Sequence, residues 1–389
     1  LDWAGEKVLV IGGSGFLGAN LIRFLVGEKC VPARNIRSFS DRASRALNDL
    51  PGLDVRSGDI LDPAGVAEAC KGRTLVFHAA GSTTFDPRSR ERQWYVNVEG
   101  TRNVLEAVAS SASIRRLCYT STVNVLGCPW PEGSIGTESC DPYASRPKLH
   151  SFANPAEALA LADAVHHGGA RRGWWKRLRI AYFDSKLAAQ ELVNRAALEQ
   201  GLDVVSVLPG TFFGPSDEFP APRLFLTGVM ENRIPGVPRG GLPLAHVHDV
   251  ARGHALAVEK GRPGATYILG GFQEDNRRYA DMMRIISEVV SEKEPGRKIR
   301  YRFREIPAPG AWSAAALAEA WAGIVGQPPV VTRQAIRASG RALFYSSARA
   351  EAELGYRAAK SFREAVGAMY DSLRRAVTDE VAPLRGAAP

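Results

Sequence analysis

The chain has 389 residues, 45% of them hydrophobic and 23% charged, a composition that excludes a disordered chain and leaves room for one large domain or two joined ones. Its apolar runs, such as Val8 to Ile11 and Ala314 to Ala318, fall far short of the roughly 20 residues that span a bilayer, and its five cysteines, with no Cys-x-x-Cys pair, fit neither a disulfide framework nor a zinc site, so no metal is expected. A formal charge of +9 admits nucleic acid, an anionic membrane surface or an anionic cofactor. Arginine is spread along the whole chain, which speaks against nucleic acid, and no basic-then-apolar leader is visible, so a cytoplasmic location is expected.

Short β-rich runs alternate with helical patterns through the first half. Strands are predicted over 7–12, 36–40, 54–59, 74–79, 116–122 and 203–208, with helices over 16–29, 64–71, 92–110 and 182–200. Such alternation predicts an α/β fold, a doubly wound parallel sheet with helices on both faces. An irregular segment over 128–181 interrupts it. That segment opens rich in Pro, Gly and Ser, then carries a helical run over 155–166 and the basic, aromatic run Arg171-Arg172-Gly173-Trp174-Trp175-Lys176-Arg177. After Pro215 come many Pro and Gly up to Leu244, a strand over 265–269 and helices over 279–291, 311–325 and 361–375. The organisation expected is a sheet domain over 1–210, completed by 244–270, with 211–243 and 271–389 forming a smaller α/β substrate-binding region.

Val8-Leu9-Val10-Ile11 runs straight into Gly12-Gly13-Ser14-Gly15-Phe16-Leu17-Gly18, a Gly-x-x-Gly-x-x-Gly spacing at a strand-to-helix junction. Gly12 permits the tight turn, Gly15 lets backbone approach a pyrophosphate, and Gly18 lets the helix pack closely on the sheet. The helix amino terminus then faces the negative phosphates. In this context the spacing predicts a Rossmann-type dinucleotide site for NAD(P)(H). The ribose is read at the end of the second strand, Ser40-Asp41-Arg42, with Arg45 close behind. A carboxylate there hydrogen-bonds free ribose hydroxyls and favours NAD, whereas an arginine pairs with a 2′-phosphate and favours NADP; Ser40 and the two arginines tilt the reading to NADP. Asp59 and Ile60 are placed to flank the adenine, and Ala79, Ala80 and Gly81 to lie along the cofactor.

Tyr182-Phe183-Asp184-Ser185-Lys186 sets a phenol and an ammonium four residues apart on one helix face. A tyrosine of ordinary pKa is a poor acid-base catalyst near neutrality, and a neighbouring cation brings it towards a useful range. Thr122, at the end of the fifth strand, can donate a hydrogen bond to a substrate oxygen. Together the three can polarise a carbonyl for hydride attack or take the proton of an alcohol.

These residues resemble the extended short-chain dehydrogenase/reductase superfamily. The resemblance runs through the glycine stretch, Gly58-Asp59-Ile60-Leu61-Asp62, His78-Ala79-Ala80, Asn97-Val98-Glu99-Gly100-Thr101, Tyr119 to Thr122, Tyr182 to Lys186 and Leu208-Pro209-Gly210-Thr211-Phe212. Within it the chain is most similar to the 3β-hydroxysteroid dehydrogenase and dihydroflavonol reductase group. The resemblance implies a catalytic triad of Thr122, Tyr182 and Lys186. It implies a cofactor held also by Asn97, Thr120, Tyr182 and Lys186, with Pro209, Gly210, Thr211 and Phe212 at the nicotinamide end. A homodimer through the helices over 92–110 and 182–200 follows by analogy only.

The segment over 128–181 is about twice the length the resemblance implies. Trp174 and Trp175 are read as a lid over an apolar substrate, as an interfacial patch meeting lipid, or as the anchor of a surface loop; the helix over 312–325 is a second possible route to a membrane. His166-His167 is not read as a metal site, and His246 and His248 are read as part of a strand-to-helix turn. The function expected is hydride transfer between nicotinamide and a hydroxyl or keto carbon of a bulky apolar substrate such as a sterol or terpenoid. The alternatives are a nucleotide-sugar epimerase or dehydratase with retained NAD, and a non-catalytic cofactor sensor.

Overall fold

Val8–Ile11 (β1) is apolar at all four positions and buried on both faces, as the centre of a parallel sheet requires. The computed structural model describes residues 1–42, 47–145, 148–215, 221–327, 329 and 331–385, the side chains of 221 and 376–385 excepted. Around β1 stand Ile36–Ser40 (β2), Asp54–Ser57 (β3), Leu75–His78 (β4), Arg116–Thr120 (β5), Val204–Pro209 (β7) and Thr266–Leu269 (β10), in the order β10-β7-β5-β4-β1-β2-β3 with every pairing parallel. Successive side chains alternate between two cores. Val8 and Val10 face Phe16–Gly27 (α1) and Val247–Lys260 (α8), while Leu9 and Ile11 face Gly100–Ala109 (α4) and Ala181–Glu199 (α6). The chain winds outwards from β1 in both directions, so β1 and β4 separate the two halves and leave a crevice at their carboxyl ends, where open α/β sheets bind their ligands.

The helix predicted over 92–110 forms as one run with a π-helical turn inside it. Arg90–Trp94 (α3) passes through a π-helical turn, Tyr95–Glu99, before α4. Pro63–Cys70 (α2) lies beside α4, and a side chain at Gly100 would strike Ile60. The fifth strand stops at Thr120, and Thr122 instead caps the short turn Val123–Val125, its side chain accepting from Asn124 N at 3.3 Å.

Within the long segment, Ile135–Gly136 (β6) pairs with Phe344–Tyr345 (β12), and Pro155–His166 (α5) begins at Asn154, whose side chain caps Glu157 N. This helix lies along α6 and is tied to α4: Asp163 takes Arg102 and Arg195 at 3.0 Å each, and His166 Nδ1 lies 2.9 Å from Glu99. α5 thus covers part of the α6 side through which a dimer is expected. Trp174 also departs from the lid and lipid readings. It is 8% exposed and packs edge-on against Trp94 with centroids 4.9 Å apart, so it anchors the turn Trp174–Arg177 on α3; Trp175 is half-buried.

The rest of the chain builds a smaller layer beyond the carboxyl edge. Thr211–Phe213 (β8), Gly241–His246 (β9) and Asn276–Arg278 (β11) form a three-stranded sheet. Ala221–Met230 (α7), Tyr279–Lys293 (α9) and Phe362–Arg385 (α13) pack around it on a third core that includes Phe213, Leu226, Met282, Ile286 and Phe362. His246 ends β9 and caps α8 through His248 N, so this pair does form a strand-to-helix turn. Ala308–Val325 (α10), Arg333–Ser339 (α11) and Ala348–Leu354 (α12) complete the fold. Among the described residues no helix is long and apolar enough to cross a membrane.

Candidate active site

Gly12 leaves β1 with φ +84°, and a side chain there would sit 2.5 Å from Ala80 N, so the turn after β1 and the backbone after β4 touch. A side chain on Gly18 would fall onto the carbonyl oxygen of Gly12. At Gly15, by contrast, the only neighbour among the described residues is Gly12 O at 3.3 Å, so the approach is open. Gly15 is also the cap position of α1 and offers no side-chain acceptor, which leaves N–H donors of the first turn for an anion. Phe16 stacks on Phe212 at 5.4 Å, bringing the strand after Gly210 to the same cradle, and Leu17 is buried beneath it. This arrangement fits a dinucleotide: an open backbone face, uncapped donors and two strand ends in contact.

At the ribose end, Asp41 and Arg42 are exposed just past β2, and Arg45 lies outside the described residues. Ser40 is turned the other way. Its hydroxyl accepts from Ser14 N at 3.0 Å and is buried, so it braces the glycine loop. Asp59 is exposed and accepts from Leu61 N at 3.0 Å, while Ile60 is buried under Gly100.

Tyr182 is the second residue of α6, half-buried, with its ring edge-on to Phe85 at 5.9 Å. Burial raises its pKa, and a hydrogen bond with the Thr122 hydroxyl lowers it. The hydroxyl of the neighbouring Ser121 has no such partner, which separates two residues that sequence alone confuses. Lys186, one turn on, is buried and donates to Thr120 O at 2.7 Å and to Tyr119 Oη at 3.2 Å. Burial lowers its pKa to about 7. An ammonium has three donors, so one remains; a side chain on Gly81 would begin 3.9 Å from Nζ, which puts the lysine against the strip expected to lie along the cofactor.

Two expected cofactor ligands are otherwise engaged. The Asn97 amide donates to Ser82 O at 3.0 Å and Ser185 Oγ at 2.9 Å and accepts from Ser82 N at 2.8 Å, so it brackets the loop after β4 to α6. The Thr120 hydroxyl lies 2.9 Å from His254 Nε2, on the α8 side of the sheet, because strand residues alternate; only its carbonyl faces the site. Pro209 ends β7, and Gly210 passes so close to Pro243 O that a side chain would meet it at 2.5 Å, which places Thr211 and Phe212 at the carboxyl edge.

Three contributors carry no local signal or only a faint one. Tyr119 could be found from strand alternation, two residues before Ser121. Gln334, whose Oε1 accepts from Ala181 N at 2.7 Å, comes from α11 and is invisible to local pattern. Asp184, inside the Tyr-to-Lys spacing, is fully buried and accepts from Ser151 N and Oγ at 2.7 Å each and from Arg179 N at 2.9 Å. It thus clamps both ends of the segment holding α5 onto the helix that carries Tyr182.

Burial raises the Asp184 carboxyl from 3.8 to about 6. A carboxyl that holds its proton more tightly when folded lends stability at low pH and loses it as pH climbs through that range. Asp184→Asn is therefore expected to gain on the wild type by about 3 kcal/mol between about pH 4 and pH 6, and no further above. Melting curves run in parallel across that interval would show that the carboxyl ionises normally.

Residues 9–146 match the 3-beta hydroxysteroid dehydrogenase/isomerase family and residues 176–270 the NAD dependent epimerase/dehydratase family. The chain is 30% identical, over 89% of its length and 88% of the relative's, to a Synechocystis sp. protein that carries the name dihydroflavonol 4-reductase. It is 29% identical to the 3-beta-hydroxysteroid dehydrogenase of Mycolicibacterium neoaurum, over 67% of this chain and 63% of that one. Its fold resembles the crystal structure of dTDP-glucose 4,6-dehydratase from Streptomyces venezuelae with NAD bound, with a TM-score of 0.65 at 21% identity, covering 95% of this chain and 97% of that one.

Proposed function

Because the chain belongs to the extended short-chain dehydrogenase/reductase family, whose members here are NAD-dependent enzymes, we propose that it is an alcohol dehydrogenase or ketoreductase acting on a bulky, apolar substrate. The observation that carries this reading is the meeting of Thr122, Tyr182 and Lys186 at the carboxyl end of β5, beside the Gly12–Ala80 contact. Bound in that cradle, the nicotinamide cofactor supplies or takes up the hydride. In the reducing direction Tyr182 gives its proton to the carbonyl oxygen as the carbon is reduced, and Thr122 orients that oxygen. The Lys186 ammonium stabilises the phenolate left behind. In the oxidising direction Tyr182 takes the alcohol proton instead. The rings of Phe85 and Phe183 next to Tyr182 support an apolar partner, as do the steroid and flavonol names among the relatives.

Turnover of a panel of sterols and hydrophobic ketones, followed by nicotinamide absorbance, tests the reading. The match of 176–270 to the epimerase/dehydratase family favours a second one, a nucleotide-sugar epimerase or dehydratase. Tightly held NAD in the purified protein, with sugar-nucleotide conversion and no net cofactor change, would replace the first reading by the second.

The cofactor we propose is NAD. Ser40 braces the glycine loop, and the exposed Asp41 carboxylate, the first residue after β2, is suited to meet ribose hydroxyls and repels a 2′-phosphate. Asp41→Ser is expected to raise the NADP-to-NAD ratio of kcat/KM roughly tenfold or more. An unchanged ratio would show that Asp41 does not read the ribose.

A further inference from the structure

On α10 the usual order is inverted. Its inward side is Ala311, Ala315 and Ala322, all buried, while Leu317, Trp321 and Ile324, spaced i, i+4 and i+7, stand on another face with 73%, 64% and 78% exposure. Val325 extends that face. Water-facing surfaces carry large apolar side chains singly; a continuous stripe of them marks a surface made for something other than water. The one charged side chain of this helix, Glu319, is held aside by Arg333, which reaches it through its backbone N at 2.7 Å and its guanidinium at 2.8 Å.

The neighbouring surface is basic. Arg171, Arg172, Lys176, Arg177 and Arg179 are exposed and have no acidic partner among the described residues. The turn Trp174–Arg177 packs on α3. The end of α10 is tied to the same place: Arg88, just before α3, donates to Gly326 O at 3.4 Å, and α11 reaches Ala181 N. An apolar stripe and an unpaired basic turn therefore flank the start of α6.

We propose that α10 and this turn form a peripheral docking surface for an anionic lipid bilayer. The stripe enters the boundary between headgroups and acyl chains, with the Trp321 indole at the level such rings favour, and the basic turn lies against lipid phosphates. The formal charge of +9 acts in the same sense at longer range. A second copy of the chain is a poorer occupant, since stripes brought together would bring like-charged turns with them. Docking by this surface does not depend on which substrate Tyr182 serves.

The full chain should be sedimented with vesicles of phosphatidylcholine alone and of phosphatidylcholine with phosphatidylglycerol. Binding is expected to the anionic vesicles, with partitioning reduced roughly tenfold or more by Leu317→Gln, Trp321→Gln and Ile324→Gln together. Arg171→Gln, Arg172→Gln, Lys176→Gln and Arg177→Gln together should reduce it by a similar factor, roughly tenfold, and remove its salt dependence. All seven side chains are exposed, so both variants should melt as the wild type does. Brominated anionic vesicles should quench wild-type tryptophan fluorescence more than that of Trp321→Phe. Wild type left in the supernatant with both vesicle types, or binding unchanged in both variants, overturns the proposal. So does a wild-type dimer that the stripe variant dissociates.

Discussion

Tyr182→Phe is expected to lower kcat/KM roughly 1,000-fold, about 4 kcal/mol of transition-state stabilisation, because it removes the one proton donor and acceptor at the reacting oxygen. The ring keeps its place against Phe85 and Phe183, so the fold and cofactor affinity should survive. The measurement is steady-state turnover on the best substrate found, with NAD affinity followed separately by fluorescence. Turnover within about threefold of wild type would remove Tyr182 from the reaction. Loss of NAD binding together with turnover would instead make its hydroxyl a cofactor ligand.

Gly18→Ala is expected to have the second large effect, for a purely steric reason. The added methyl meets the Gly12 carbonyl oxygen and the Gly13 backbone, and neither can swing away as a side chain would. Helix α1 must lift off the turn, at a cost of about 1–3 kcal/mol in stability, and its first-turn N–H groups lose their aim at the phosphates. NAD affinity should fall roughly 100-fold or more. Gly27, at the other end of the same helix, has nothing within 4 Å of an added methyl. Gly27→Ala should accordingly leave both quantities almost unchanged. Equal NAD binding in the two variants would show that the close approach at Gly18 is not needed.

Much of this is legible in the sequence. Apolar β1 leading into the glycine run, the alternation of strands and helices, and the helical run of α5 all rest on local chemistry, and they appear where expected. What escaped depends on lateral neighbours. The hydroxyl of Ser40 also holds Ser14 N, a bracing of the glycine loop that no local pattern reports. Asn97 and Thr120 read as cofactor ligands, yet a π-helical turn and strand alternation aim them at Ser82, Ser185 and His254. Trp174 reads equally as lid, lipid contact or anchor, and only Trp94 beneath it decides for the anchor. Gln334 lies 153 residues from its partner Ala181, a separation no periodicity reports.

The clamp at Asp184 has a consequence for how such a chain can change. Ser151 and Arg179 converge on one carboxylate, and between them α5 and Trp174 are packed into the core, so the position of Tyr182 is fixed from both ends of the stretch. The run over 167–169, between α5 and Trp174, is exposed and carries none of that packing. Extra residues placed there are nearly invisible to Tyr182, since each doubling of a flexible loop costs only about 0.6 kcal/mol. That connection is where such a chain can change length, in evolution or in the laboratory, while the catalytic helix stays in register.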